Sequence, residues 1–125
     1  MKTSVDELLQ RVKRGEAVSF QETIAAIDGQ YRYTPCRFFN GLGEDRLVNE
    51  AGSNEGSCKI FWFARLSDLD QAETLALFGD YYRRDVLERP EGESHANIRR
   101  FLRDGWDGIS YDGVPLEPVS FQSPR

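Results

Sequence analysis

Hydrophobic residues in the first thirty positions recur at helical spacing, and each run follows the same start signal. Ser4-Val5-Asp6-Glu7 reads as a capping box, in which the serine hydroxyl and the glutamate carboxylate each satisfy an orphan amide. Val5, Leu8, Leu9 and Val12 then share one helical face, and Gly15 marks the end. Ser19-Phe20-Gln21-Glu22 repeats the signal ahead of Ile24, Ala25, Ala26 and Ile27, with Gly29 as the stop. At Tyr31 the period changes. The alternation Tyr31-Arg32-Tyr33-Thr34, closed by Pro35, predicts an extended segment, because the residue before a proline is pushed out of the helical region. Residues 37–40 and 46–49 flank the glycine-bearing stretch 41–45 and predict a loose hairpin, and residues 49–56 read as a glycine-rich loop.

From Cys58 to Leu66 the chain is apolar nearly all round, so periodicity does not separate helix from strand. Lys59 and Arg65 break strict alternation, which favours a helix capped by Ser57. Asp70-x-x-Glu73 signals another start, with Leu75, Phe78, Tyr82 and Val86 on one face through Gly79 as far as Pro90. Ser94 is the expected cap of a further helix carrying Ile98, Phe101 and Leu102, with Gly105 beyond its end. Residues 109–116, with Asp112-Gly113 between apolar positions, read as a hairpin with an edge strand, and residues 117–125 as a loose tail. The pattern predicts an α+β, mainly α fold: one compact domain over residues 1–116, with about five helices and small β-hairpin elements.

Composition narrows the function classes. At 125 residues and 39% hydrophobic, the chain can bury a single core without staples. Asp and Glu total 21 against 16 Lys and Arg, a net charge of −5, which argues against broad attraction to nucleic acid or an anionic membrane. No window approaches the roughly 18 apolar residues of a membrane span, and the N-terminus lacks the apolar core of a secretory signal. Arg83, Arg84, Arg89, Arg99, Arg100 and Arg103 cluster in sequence, and against this acidic background they are expected to pair with carboxylates. Cys36, Cys58 and the single His95 make no familiar zinc set, so no metal is expected, and the thiols are expected reduced rather than joined. Gly52 and Gly56 have the wrong separation for a phosphate loop, and no cofactor is expected.

Several blocks in order carry a resemblance: Tyr33-Thr34-Pro35, Phe39-Asn40-Gly41, the run from Leu47 to Gly52, the run from Gly56 to Phe61, Phe63 to Leu66, Phe78-Gly79-x-Tyr81-Tyr82, His95-x-Asn97-Ile98-Arg99 and Gly105-Trp106-x-Gly108-Ile109. With these the chain resembles the HopJ family, whose founding members are effectors that plant-pathogenic pseudomonads inject through a type III secretion system. Residues 42–46 read as a small insertion relative to that pattern. The resemblance implies an effector-like protein made in the bacterial cytoplasm, exported by that route into a host cell and acting on a host or cellular protein. It carries no assigned catalytic residue.

Chemistry centres on Cys58. Gly56-Ser57-Cys58 ahead of an aromatic segment is locally similar to the nucleophile segment of papain-like proteases, and a thiol at a helix N-terminus beside Lys59 is drawn toward the thiolate. His95 is the single imidazole available as base, with Asn49, Asn54 or Asn97 as an orienting amide. The competing reading is a buried cysteine leading a core segment and a solvated histidine at a helix start. Asn49, Glu50, Asn54, Glu55 and Lys59 also offer a polar wall for a partner or a small polar ligand in the 49–57 loop. Two functions therefore stand: a binding protein without catalysis of its own, or a cysteine-dependent hydrolase or acyl-transfer enzyme using Cys58 and His95.

Overall fold

The computed structural model describes residues 4–119. Its elements run α1 (Val5–Lys13), α2 (Phe20–Gln30), β1 (Tyr31–Tyr33), β2 (Phe38–Asn40), β3 (Leu47–Asn49), α3 (Glu55–Leu66), α4 (Gln71–Ala76), α5 (Asp80–Arg83), α6 (Ala96–Asp104), a 3-10 turn (Gly105–Gly108), β4 (Ile109–Tyr111) and β5 (Leu116–Pro118). The α+β, mainly helical architecture is the one the pattern predicts, with six α-helices among the described residues where about five were expected. Full capping boxes start α1 at Ser4, α2 at Ser19 and α4 at Asp70, each satisfying two amides locally.

The strands depart from the expected hairpins in one respect. β2 pairs antiparallel with β3 as predicted, but β4 and β5 do not pair with each other. β4 lies along β2, and β5 along β1. Tyr31 faces Pro118, Tyr33 faces Leu116, Phe38 faces Tyr111 and Asn40 faces Ile109, so both pairings keep one register. The stretches 31–40 and 109–118 thus form a single antiparallel ribbon with an interruption at Pro35 and at Gly113. Two bonds bridge the gap, Thr34 N–H to Pro115 O at 2.8 Å and Asp112 N–H to Arg37 O at 3.1 Å. The Arg37 guanidinium also meets Asp112 at 2.6 Å. Long-range pairing therefore captured a segment whose Asp-Gly signal is local. Glu117 and Pro118, expected in the tail, belong to this ribbon, and residues 120–125 lie outside the described ones.

The predicted helix from residue 70 toward Pro90 is broken at Gly79, which takes φ 63°. A Cβ there would lie 2.7 Å from the Phe20 amide nitrogen, so the break lets the start of α2 approach the chain closely. Leu75, Phe78 and Val86 stay buried on either side of it. α3 runs through the centre, burying Cys58, Ile60, Phe61, Phe63 and Ala64. The Phe61 ring meets those of Phe38, Phe78, Phe101 and Trp106 at centroid distances of 4.8 to 6.4 Å. One side chain thereby joins sheet, α6 and the segment after α4.

Arg11 joins α1 to α2 by meeting Glu22 at 2.7 Å. The Arg11 bond and the Ser19 amide hold the Glu22 carboxyl well below the usual carboxylate range, at about 2. A depressed carboxylate stabilises the fold above its unfolded value and loses that contribution as pH falls toward the folded value. Stability is therefore expected to decline between about pH 5 and pH 2, and Glu22→Gln should flatten that part of the curve in urea unfolding measured against pH.

A cleft framed by buried asparagines

Four asparagines gather where β2, β3, α3 and α6 meet. Asn49 Nδ2 donates to Asn97 Oδ1 at 3.1 Å, and Asn97 Nδ2 donates back to Asn49 Oδ1 at 2.9 Å. Asn40 Nδ2 donates to the Asn97 side-chain and backbone oxygens at 3.0 and 2.9 Å, and Asn54 Nδ2 donates to Asn49 Oδ1 at 2.7 Å. Asn40, Asn49 and Asn97 are buried. A buried amide holds its place when its donors and acceptors are matched, and here the matches tie strands to helix starts. Asn40 Oδ1 has no partner among the described residues.

Both helices begin unusually. Asn54 and His95 are the N-caps of α3 and α6, each in the left-handed region with φ near 52° and 53°, and neither side chain bonds back to its own helix. Asparagine and histidine tolerate this conformation better than most residues. These caps displace the expected ones: α3 starts three residues ahead of Cys58, and Ser94 lies one residue before the cap of α6. The first turns of both helices, with β3, line a cleft of about 360 Å³. Asn49, Asn54, Ser57, His95 and Asn97 give it polar groups, and Phe20, Phe78 and Ile98 give it apolar ones. Gly56 belongs to this wall because a Cβ there would sit 2.6 Å from the Phe20 ring.

His95 is part-exposed, with Nε2 2.9 Å from Asp85 Oδ2 and its ring stacked on Tyr81 at 4.8 Å. Cys58 does not share that cleft. It is fully buried, its amide donates to Asn54 O within the helix, and its Sγ lies 3.8 Å from Cys36 O. Burial pushes the thiol up to about 12, opposite in direction to the thiolate expected at a helix start. Lys59, expected to favour the thiolate, instead meets Asp28 at 2.9 Å and lies over the Tyr33 ring. Glu50, Glu55 and Lys59 do not line the cleft. The structure thus brings together Asn49, Asn54, His95 and Asn97 and leaves Cys58 behind the wall.

Ser57 joins from the expected 49–57 loop itself, whereas Phe20, Phe78 and Tyr81 complete the site from distant parts of the sequence, and the local signals left to find them were Gly56 and Gly79, glycines where a side chain is normal. The arginine cluster bonds as much to backbone as to carboxylates. Arg99 donates to the carbonyls of Asp85, Arg89 and Ser94, and Arg100 to that of Asp45, while Arg103 meets Asp104 at 2.9 Å. Among the described residues no group of three or more His, Cys, Asp or Glu is placed to hold a metal ion, and no helix is long and apolar enough to cross a membrane.

Fold and cleft define a small α+β domain whose polar site is built from helix starts and a strand edge. Its affiliation is specific: residues 5–116 match the model of the HopJ type III effector protein family, and the chain belongs to that family. It is also similar to a solved crystal structure of a protein of unknown function, VPA0580, with 41% sequence identity and a TM-score of 0.88 over 95% of this chain and 97% of that one. No curated protein matches the chain.

With the thiol pushed up to about 12, the thiolate fraction at pH 8 is about one part in ten thousand. Alkylation of Cys58 in the folded protein, read in a Cys36→Ser background, should therefore stay slow through pH 9 and become fast on unfolding. Rapid modification at pH 7 would contradict the burial described.

Proposed function

We propose that this chain is a HopJ-type effector that acts by binding a host or cellular protein at the asparagine-framed cleft, without catalysis of its own. The observation that carries this reading is the separation of the two groups a thiol enzyme needs: His95 stands in the cleft and Cys58 is sealed behind it. Nucleophilic catalysis requires a base within hydrogen-bond reach of an accessible thiol. His95 spends Nε2 on Asp85 and its ring face on Tyr81, which suits a recognition surface.

The cleft mixes apolar walls with polar groups at two helix starts, the composition of a pocket that fixes a partner's orientation with a few polar contacts. First-turn amides have no acceptor inside their own helix. The matching partner segment presents hydrogen-bond acceptors flanked by apolar side chains. Asn49 and Asn97 serve here as framing residues, and Asn54, Ser57 and His95 as contact residues.

The test compares two folded variants for the response they cause when introduced into host cells, with thermal unfolding as the control for folding. Ala96→Trp fills the cleft from an exposed position at the start of α6 and should lower activity by at least about tenfold, the loss of one good contact. Cys58→Ala should retain activity. A folded Cys58→Ala that is inactive beside an active Ala96→Trp would reverse the reading in favour of the cysteine-dependent enzyme.

A further inference from the structure

We propose that Cys36 and Cys58 are a redox pair, in which a hydroperoxide oxidises Cys36 and Cys58 closes an intramolecular disulfide that locks the interrupted ribbon onto α3. The inference is independent of what the cleft binds. Both cysteines are free, Cys36 part-exposed and Cys58 buried, and they lie in contact although 22 positions apart, with Cys58 Sγ 3.8 Å from the carbonyl oxygen of Cys36. Cys36 falls at the interruption of the ribbon, where β1 has ended and β2 has not begun. It stands over Gly113: a Cβ at that position would lie 3.4 Å from Cys36 Sγ.

The two sulfurs thus approach one short backbone segment from different directions. The Cys36 sulfur rests 3.4 Å from Arg37 O, and the Cys58 sulfur abuts the Cys36 carbonyl. A disulfide needs the two Cβ atoms about 3.8 Å apart. Closure requires the Cys36 side chain to turn away from Gly113 toward α3, with a small shift of residues 35–36. Thr34 and Arg37 are each held across the ribbon by one backbone bond, so the shift falls on Pro35 and Cys36, which lie between those two bonds. Tyr111 Oη, which donates to Cys58 O at 2.7 Å, holds the α3 side of the pair in place.

Exposure sets the order of events. The Cys36 thiolate attacks the hydroperoxide, taking one oxygen to become the sulfenic acid and releasing an alcohol, or water when the oxidant is hydrogen peroxide. Cys58 then attacks the Cys36 sulfur, the S–O bond breaks, hydroxide leaves and combines with the Cys58 proton as water, and the S–S bond forms. Two thiols are oxidised and one peroxide bond is reduced. Because the thiolate of Cys58 is the attacking species, closure should quicken as pH rises.

The test treats the full chain in native buffer with hydrogen peroxide and maps peptides without reduction, alongside Cys58→Ala and Cys58→Ser. The expected result is a Cys36–Cys58 linked peptide within one chain, an intact mass lower by two hydrogens, reversal by dithiothreitol, and a dimedone-trapped sulfenic acid on Cys36 in either Cys58 variant. Closure should be faster at pH 9 than at pH 7. Accumulation of sulfenic or sulfinic acid on Cys36 without a link, a link between chains, a link that forms only in urea, or no oxidation at all would each overturn the pairing. The wild-type peptide map decides the matter even where a variant is unstable.

Discussion

The reciprocal amide pair between Asn49 and Asn97 is the constraint on which the site depends. A carboxamide buried without partners is costly, whereas two carboxamides that donate to each other satisfy one donor and one acceptor apiece at a single place. Asn49 ends β3 and Asn97 lies in the first turn of α6, so the pair fixes a strand end against a helix start. Asn40 extends the grip to β2, and Asn54 extends it to the cap of α3. The cleft is the space that remains when these elements are held together by their polar ends rather than by their apolar faces.

The apolar faces meet below. Phe61 on α3 touches rings from β2, α6, the segment after α4 and the 3-10 turn. Core and amide frame thus share the same elements but answer different needs. Rings give burial and tolerate sliding, while the amides specify one register, because a shift of one residue would leave buried carbonyls unpaired. Gly79 and Gly56 reconcile the two layers. Each removes a side chain where α2 must come close, one against the backbone of Phe20 and the other against its ring.

Signals contained within a few residues were legible in the sequence. The capping boxes at Ser4, Ser19 and Asp70 form as their spacing predicts, and the alternation after Gln30 becomes β1. Signals that competed with distant partners were not. Asp112-Gly113 announced a hairpin, yet each flanking strand found a better ladder along residues 31–40. Ser57 is no better a cap by propensity than Asn54, and Ser94 is a better one than His95, but the amide frame and the Asp85 contact place both helix starts. Asparagine ordinarily signals a loop, so nothing local marks Asn40, Asn49 and Asn97 as buried. Cys58 shows the same limit from the other side: its neighbours in sequence resemble those of a nucleophile, and its neighbours in space are the Cys36 carbonyl and an apolar core.

A double-mutant cycle on the amide pair, with Asn49→Ala, Asn97→Ala and the double variant compared by urea unfolding, tests this account most directly. Each single change should cost about 1 to 3 kcal/mol, since it leaves the surviving amide buried with an unmet bond. The double variant should fall short of the sum by at least about 1 kcal/mol, the signature of two groups acting as one. Additivity within about 0.3 kcal/mol would mean that the two side chains act independently. The cleft would then owe its shape to the aromatic core alone, and the asparagine frame would not be what holds the site.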